Sequence, residues 1–299
     1  MVSEAGLTDA LYPFRIDAGL VRGRLARLKE SADAILKAHD DYPEPVAALM
    51  AEALAVTAVL AGGLKFDGIF SLQAQGDGPL SLMVVDVTSA GDLRGYARFD
   101  KDLLPETGNG SSPLALLGKG YLAFTVDQGE HTERYQGIVE LEGRTLSEAV
   151  EAYFQQSEQL ETAFRIAAQH DGTGWRACAM MIQRMPAESE GAPILTAEEA
   201  GENWNRANIL FATLKEHEML DLTLAPEKLL HRLYHDDGLQ VSDPRPLRAQ
   251  CRCSAERLIT ALRSLPKDDR DDIVAESGTV EVVCEFCKTV YTFTEKDLN

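Results

Sequence analysis

The sequence predicts an α+β protein with a large N-terminal domain of antiparallel sheet and packed helices, a helical linker, and a small cysteine-rich C-terminal domain. Three observations support this prediction. The 299 residues exceed the length of one ordinary domain. Successive strand patterns between residues 69 and 141 are joined by short turns, which antiparallel pairing allows and parallel pairing does not. Four of the five cysteines lie after residue 250.

The first elements are predicted between residues 19 and 64. Residues 19–36 mix charged and apolar residues irregularly, which favours a strand followed by a helix. Pro43 and Pro45 then open an alanine-rich apolar stretch, 46–64. This stretch has about the length that spans a bilayer, but Glu52 lies inside it and small alanines dominate. We therefore predict a buried core helix.

A meander of strands is predicted next. Dense turn signals, such as Gly76-Asp77-Gly78-Pro79, separate runs of apolar residues that are short enough to be strands. The predicted strands are residues 69–75, 80–87, 93–99, 121–127 and 134–141, with a loop at 107–113.

The pattern becomes helical over residues 143–168. Thr145, followed three residues later by Glu148, is the signature of a capping box at the start of this helix. The elements predicted beyond it are a strand at 175–184, a polar loop at 187–192, and helices at 198–219 and 226–235.

Residues 236–250, DDGLQVSDPRPLRAQ, are rich in turn formers and poor in periodic apolar residues, which is the composition of a linker. Together with the preceding helix, they predict a division into a core domain at 1–225, a linker at 226–250 and a tail at 251–299. The elements predicted in the tail are a helix at 254–265, a charged turn at 266–272, and a hairpin of strands at 280–283 and 289–293.

Charge and composition exclude several classes of protein. The chain has 29 basic and 48 acidic residues, and the net charge of −19 disfavours nonspecific binding to nucleic acid or to an anionic membrane. The first residues, MVSEAGLTDALYPF, are neither positively charged nor continuously apolar, unlike a secretory signal. We therefore expect a cytoplasmic protein, whose thiols stay reduced.

The cysteine pattern is the most specific signal in the chain. Cys251 and Cys253 form a C-x-C pair, and thirty residues later Cys284 and Cys287 form a C-x-x-C pair. Two close pairs that a folded chain brings together can present four thiolates at the corners of a tetrahedron, the geometry that Zn²⁺ prefers. We predict one zinc ion per chain and a zinc-binding C-terminal domain, because a tail of about fifty residues is too small to hold a core unaided.

The same thiols could also form a redox switch, because thiolates are the nucleophiles of thiol–disulfide exchange. One residue separates the thiols of the C-x-C pair, so an oxidant could close them into a tight disulfide. Such small loops restrict the unfolded chain little. Oxidation would then remove the folding contribution of zinc without replacing it, and we expect the oxidised tail to unfold.

Other possible sites are weaker. Zinc modules often bind nucleic acid, but residues 251–299 contain 7 basic and 10 acidic residues, so their net charge is −3 and they lack the basic face of a nucleic-acid-binding domain.

His231 and His235 could share a metal from one face of a helix. Because four thiolates are available nearby, we expect these histidines to be ordinary surface or packing residues instead. Cys178 lies in an apolar strand and is expected to be a buried, inert thiol. The glycines at 76–78 lack the Lys-Ser/Thr of a phosphate loop, and no catalytic constellation is present, so we expect neither an enzyme nor a nucleotide site.

The tail CRCSAERLITALRSLPKDDRDDIVAESGTVEVVCEFCKTVYTF closely resembles the C-terminal zinc domain of the bacterial 33 kDa chaperonin family, the redox-regulated heat shock chaperones. Three segments of the larger part resemble the same family: LQAQGDGPLSLMVVDVTSAGDLRGYAR, GKGYLAFTVD and YQGIVELEGRTLSEAVEAYFQQSEQ. The likeness extends from about Leu20 to Phe293.

This resemblance implies an ATP-independent holdase that is inactive while four cysteine thiolates bind zinc. Oxidants together with heat would then form the disulfides Cys251–Cys253 and Cys284–Cys287 and release the metal. The linker would unfold, and the core domain would dimerise and hold unfolding client proteins.

Arg252 lies between the first two cysteines and has no role as a metal ligand. A cation at this position is expected to stabilise the thiolates and raise their reactivity. The alternative that remains open is a zinc-stapled module that binds nucleic acid or protein without redox switching.

Overall fold

The computed structural model describes residues 8–16, 20–104, 113–129, 134–185, 196–266 and 278–298. The strands are β1 (Ala10–Ile16), β2 (Val21–Leu28), β3 (Ile69–Gly76), β4 (Leu80–Thr88), β5 (Asp92–Phe99), β6 (Gly120–Asp127), β7 (Tyr135–Glu140), β8 (Thr162–His170), β9 (Trp175–Arg184), β10 (Gln240–Val241), β11 (Arg245–Pro246), β12 (Arg248–Ala249), β13 (Thr279–Val283) and β14 (Val290–Thr294). The helices are α1 (Glu30–Lys37), α2 (Glu44–Ala61), α3 (Leu146–Tyr153), α4 (Ala197–Ala212), α5 (Glu216–Leu220), α6 (Pro226–Tyr234), α7 (Ala255–Arg263) and α8 (Glu295–Leu298), with short 3₁₀ helices at Lys101–Leu103 and Pro113–Leu116 and a π-helical turn at Phe154–Glu158.

Helix α2 lies at the centre of the molecule. Pro45 is in its first turn, where the missing N–H leaves no helical hydrogen bond unmade. Apolar residues surround the helix, which is typical of a helix buried on all sides. In the described part of the chain α2 alone has the length and apolarity of a membrane span, and 78% of that span is buried inside the protein. The predicted core helix is confirmed.

Two six-stranded sheets lie on either side of α2. Sheet 1 has the order β10-β1-β2-β9-β8, with β11 also paired to β1, and sheet 2 has the order β12-β5-β4-β3-β6-β7. The strands of residues 69–140 pair antiparallel, as predicted, and together with the helices they confirm the α+β class. The exception to antiparallel pairing in these two sheets is β12, which runs parallel to β5.

The sheets and helices enclose two apolar cores. The inner core fills the space between the sheets around α2 and contains side chains of both sheets. The outer core lies on the opposite face of sheet 1, where α4, α5 and α6 cover it. On β3, the opposite face of sheet 2 carries the polar side chains of Ser71 and Gln73, which alternate with the inward-pointing Phe70, Leu72 and Ala74.

The segment predicted to be a linker packs against both sheets. Four side chains of α6, Leu229, Leu230, Leu233 and Tyr234, are buried in the outer core, and Tyr234 stacks on Phe14 with ring centroids 6.0 Å apart. Beyond α6, β10 and β11 pair with β1 of sheet 1, and β12 pairs with β5 of sheet 2. The linker therefore crosses from one sheet edge to the other and is held by main-chain pairing at both.

The tail contains its own small folded unit. The Ser254 side chain accepts a hydrogen bond from the Arg257 amide and caps α7, and β13 pairs with β14 in a hairpin, both as predicted. In the described part of the tail three apolar residues are buried, Val280, Phe293 and Leu298. A core of this size supplies little stability, so the tail needs a further constraint.

Several predicted elements differ from the structure. The helix predicted over 143–168 begins with the expected Thr145–Glu148 capping box, but it ends at Tyr153 and residues 162–170 form β8 instead. The chain leaves the helix at Gln159, whose φ of 54° is left-handed, and the next residues gain a full antiparallel pairing with β9. The helix predicted over 198–219 is divided into α4 and α5.

Other predictions are correct or fall on undescribed residues. The strand and helix predicted over 19–36 are present as β2 and most of α1, with residue 19 outside the described residues; the strand at 175–184 is also present, whereas β1 was not predicted. The loops at 107–113 and 187–192 and the turn at 266–272 lie outside the described residues, apart from Pro113 and Pro266.

Candidate metal centre

The four tail cysteines meet at one end of the β13–β14 hairpin. Cys251 and Cys253 lie just before α7, and Cys284 and Cys287 lie in the turn of the hairpin. Two main-chain hydrogen bonds close this turn: the Lys288 amide donates to Cys284 O at 2.8 Å and the Cys284 amide donates to Thr289 O at 2.9 Å. The four Sγ atoms all lie within 4.8 Å of one another.

These distances fit a tetrahedral metal. Four sulfurs at about 2.3 Å from Zn²⁺ would stand about 3.8 Å apart at the corners of a regular tetrahedron. The Cys251–Cys284 Sγ atoms are 3.7 Å apart, and the Cys253–Cys287 atoms are 3.4 Å apart. Among the described residues no histidine or carboxylate joins this group. Four sulfur donors and no open position are the features of a structural zinc site rather than a catalytic one.

Without a metal, the pKa values of two of the thiols are shifted in opposite directions from that of a free cysteine. Burial acts to raise the pKa of Cys287, but hydrogen bonds with the Thr289 side chain and amide and with the neighbouring thiols lower it to about 7. Burial raises the pKa of Cys253 to about 12, although the Tyr291 hydroxyl donates to its sulfur at 3.1 Å. Metal binding requires thiolates, so loading this site would release protons.

Arg252 attaches the tail to the face of sheet 2 that points away from the inner core. This residue lies between Cys251 and Cys253, and its Nη2 donates to Asp86 Oδ2 at 2.6 Å. Asp86 is 5% exposed and also accepts hydrogen bonds from Arg94 at 2.7 and 2.8 Å and from Ser71 at 2.6 Å. Arg252 therefore forms a buried ion pair with the core domain instead of standing beside the thiolates as a free cation. Its guanidinium is held by Asp86, and the expected effect of this cation on the reactivity of the thiolates stays a prediction.

Phe286, between Cys284 and Cys287, makes the second contact with sheet 2. The Arg94 guanidinium lies 3.8 Å from the centre of its ring, and Tyr96 meets the ring edge-on with centroids 4.7 Å apart. The Phe286 carbonyl oxygen is 3.1 Å from His39 Nε2, which donates to it. We call His39, Asp86, Arg94 and Tyr96 the docking surface.

The structure sorts the remaining candidates from the sequence. His231 and His235 stack on each other at 5.4 Å and lie outside the thiol cluster. Cys178 is fully buried, as predicted, and burial raises its pKa to about 11, which favours the expected low reactivity. The docking surface was not predicted from the sequence. The sequence signal for it was Asp86, the one charged residue in the apolar pattern of β4.

Comparison with known proteins gives a consistent result along nearly the whole chain. Residues 9–294 match the family model described as Hsp33 protein. The 33 kDa chaperonin of Caulobacter vibrioides is 39% identical over 292 residues, covering 95% of this chain and 94% of the relative. The 33 kDa chaperonin of Pseudomonas savastanoi pv. phaseolicola is 41% identical over 293 residues, covering 97% and 92%.

A solved structure shows the same architecture. The crystal structure of the 33 kDa chaperonin (heat shock protein 33 homolog) from Thermotoga maritima superimposes with a TM-score of 0.82 at 25% sequence identity, covering 98% of this chain and 97% of that one.

Proposed function

Because the chain belongs to the Hsp33 family, whose curated relatives are named chaperonins, we propose that it is a redox-regulated, ATP-independent holdase. The reduced, metal-bound protein would be inactive. Oxidants together with heat would activate it to bind unfolding proteins in the cytoplasm. The observation that supports this proposal best is the cluster of four thiols on a tail whose own core is too small to keep it folded.

We propose that Cys251, Cys253, Cys284 and Cys287 hold one zinc ion as thiolates. Bound zinc would supply a crosslink between the two halves of the tail and keep the thiols deprotonated. The disulfides proposed on activation are Cys251–Cys253 and Cys284–Cys287. Each would form when two thiolates give two electrons to a peroxide, whose two oxygens leave as two waters with two protons taken from the solvent, while the zinc ion is released.

We propose that the linker at 226–250 covers the outer core in the reduced protein and unfolds when the disulfides form. Its helix α6 occupies the outer core with four buried side chains, and each such side chain contributes about 1.5–3 kcal/mol. Beyond α6 its strands are two residues long, and Leu247 is buried in the inner core. Unfolding of this segment would expose the part of the apolar face of sheet 1 that α6 covers, which we propose as the client surface of the core domain at 1–225.

The remaining parts of the proposal concern partners. Clients are unfolded or partly folded proteins, and the oxidised form is proposed to be a homodimer, because the uncovered face of sheet 1 is apolar and self-complementary burial would be favourable. The net charge of −19 favours neither nucleic acid nor anionic membranes. The proposed activity uses no nucleotide and no catalysis.

The test compares reduced and peroxide-treated protein, both after mild heating, for suppression of light scattering by thermally denatured citrate synthase. Zinc release and free thiols are counted in the same samples. We expect protection after oxidation alone, with one zinc released and four thiols consumed per chain. Equal protection by both forms would instead favour a zinc-stapled binding module without a switch. Zinc loss with fewer than four thiols consumed would contradict the two-disulfide mechanism.

A further inference from the structure

A cavity of about 160 Å³ lies between the two sheets, beside the C-terminal end of α2. Its wall is largely aromatic: Phe70, Phe124, Tyr153 and Phe154 form a run in which successive ring centroids are 4.4 to 6.4 Å apart. Tyr135 also lines the cavity and is 56% exposed, so the cavity opens to solvent. An apolar cavity of about this volume can hold a benzene ring.

The wall of this aromatic cavity also contains a guanidinium, that of Arg24 on β2, which forms no ion pair with a described residue. Arg24 Nη1 donates to the Met181 thioether sulfur at 3.1 Å. A thioether is a weak acceptor, and a guanidinium has five N–H donors. Gly63 leaves room for this side chain, because a Cβ at residue 63 would overlap the guanidinium. The arginine is therefore held in place while most of its donors stay available.

The charges that surround Arg24 favour an anion. Burial, followed by the positive charges of Arg22 and Arg245, lowers the pKa of Arg24 to about 10, so the guanidinium still carries its charge at neutral pH. Three arginines thus lie close enough to influence one another at this end of sheet 1, in a chain whose net charge is −19. A bound anion would relieve their mutual repulsion.

Glu158 is a carboxylate in the same wall, but its hydrogen bonds are made. Its Oε1 accepts from the Tyr135 hydroxyl at 2.9 Å and from the Tyr153 hydroxyl at 3.0 Å. Burial, followed by hydrogen bonds with Tyr135 and Glu158, raises the pKa of Tyr153 well above its ordinary value, so this hydroxyl stays a donor. Of these two charged side chains, Arg24 is the one that still offers hydrogen bonds to a ligand.

We propose that the aromatic cavity binds a small aromatic carboxylate, with its ring among the aromatic side chains and its carboxylate paired with Arg24. The planar guanidinium matches a carboxylate, because two parallel N–H groups can donate to its two oxygens. The volume of the cavity limits the ligand to about one ring on a short chain. This site involves neither the thiols nor the client surface, so it stands independently of the proposed holdase activity.

The probe is 3-phenylpropionate, titrated by calorimetry into the reduced full-length protein. We expect a Kd of roughly 0.1–1 mM, as is usual for a ligand of about this size. Two analogues test the charge: 3-phenyl-1-propanol is neutral and 3-phenylpropylamine is a cation. Both should bind about 10-fold more weakly or worse, because hydrogen bonds between charged partners contribute at least this factor.

Two variants test the assignment to Arg24. Arg24→Met should weaken binding of 3-phenylpropionate by about 10-fold or more and leave the affinity for the alcohol unchanged, a selective loss that a misfolded cavity would not give. Arg22→Met is the matched control, because Arg22 lies two residues away on the same strand but is exposed and outside the cavity wall. It should change the affinity by no more than about 2-fold, since solvent and salt screen an exposed charge. The methyl NMR signals of Leu60 and Val126, which line the cavity, should shift during the titration.

Three results would overturn the inference. Equal affinities for the carboxylate and the alcohol would show that no cation takes part, and tighter binding of the amine would assign recognition to Glu158. Wild-type affinity in Arg24→Met would leave Arg24 as a cation that stabilises the C-terminal end of α2 and nothing more. Binding without methyl shifts at Leu60 and Val126 would place the ligand elsewhere. If Arg24→Met fails to fold, the comparison of the three ligands on wild type still decides.

Discussion

Leu230→Ala tests whether α6 is a separately opening cover. Leu230 is fully buried in the outer core, on a helix of nine residues. Removing a buried leucine costs about 3 kcal/mol or more, because the cavity closes only in part. The α6 residues lose this energy when they open, so at about 1.4 kcal/mol for each factor of ten the open population should rise roughly 100-fold.

Amide hydrogen exchange of the reduced, zinc-loaded protein measures this population directly. We expect the α6 amides of Leu230→Ala to exchange roughly 100-fold faster than those of wild type. The amides of β3, in the inner core, should change little if the opening is local. Client protection should then be detectable in the reduced variant, because part of the sheet 1 face is uncovered without oxidation.

Two controls separate local opening from general destabilisation. Lys228→Ala changes an exposed residue of the same helix and should leave exchange unaltered. Leu72→Ala removes an equally buried leucine from the inner core and should destabilise the whole protein without favouring α6. If Leu72→Ala accelerates α6 exchange as much as Leu230→Ala does, α6 opens only with global unfolding and the cover model is refuted.

Three further predictions concern pH, the fifth cysteine and the metal. Burial, and then the charge of Glu216, raise the pKa of Glu52 from 4.5 to about 7, so folding stability falls as pH rises through this interval. Glu52→Gln should therefore be more stable than wild type above pH 7, by about 1–3 kcal/mol, and lose this advantage below pH 4.5, as measured by urea unfolding across pH. Cys178 should resist iodoacetamide in the reduced protein and be alkylated after oxidation, as peptide mass spectrometry would show. A Cys178 that stays unlabelled would contradict the uncovering of the outer core. Zinc chelation under reducing conditions should remove amide protection from residues 279–294, whereas a hairpin that keeps its protection would show that the tail does not depend on the metal.

The thiol cluster was predictable because metal ligands often occur in pairs that are only one or two residues apart in the sequence. Two pairs, C-x-C and C-x-x-C, limit where four sulfurs can go, and they converge as expected. The docking surface could not be predicted in this way. Asp86 and Arg252 are 166 residues apart in the chain, and nothing local to either residue specifies the other. For the same reason Arg252, interpreted beside its neighbours alone, was expected to act on the thiolates.

The errors in the fold have a similar cause. Residues 162–168 follow a helix without a proline or glycine to end it, so local pattern favours its continuation. Pairing of nine residues with β9 in a hairpin stabilises a strand instead, and the residue pattern of 143–168 read by itself does not include this partner. In the linker the strands are two residues long, too short for any alternation of apolar and polar residues to show.

A few hydrogen bonds and two-residue strand pairings connect the segment that carries the thiols to α6. Cys251 follows Gln250, whose amide donates to Leu93 O beside the β12–β5 pairing, and Gln250 Nε2 donates to Cys251 O at 3.2 Å. The same strand β5 carries Arg94 and Tyr96, so docking of the tail and pairing of the linker depend on one stretch of backbone. Beyond β12, two-residue pairings at β11 and β10 lead back to α6. A tail released from sheet 2 would next detach the short pairings of β12, β11 and β10 before reaching α6, and we propose this order of contacts as the route by which oxidation of the thiols uncovers part of sheet 1.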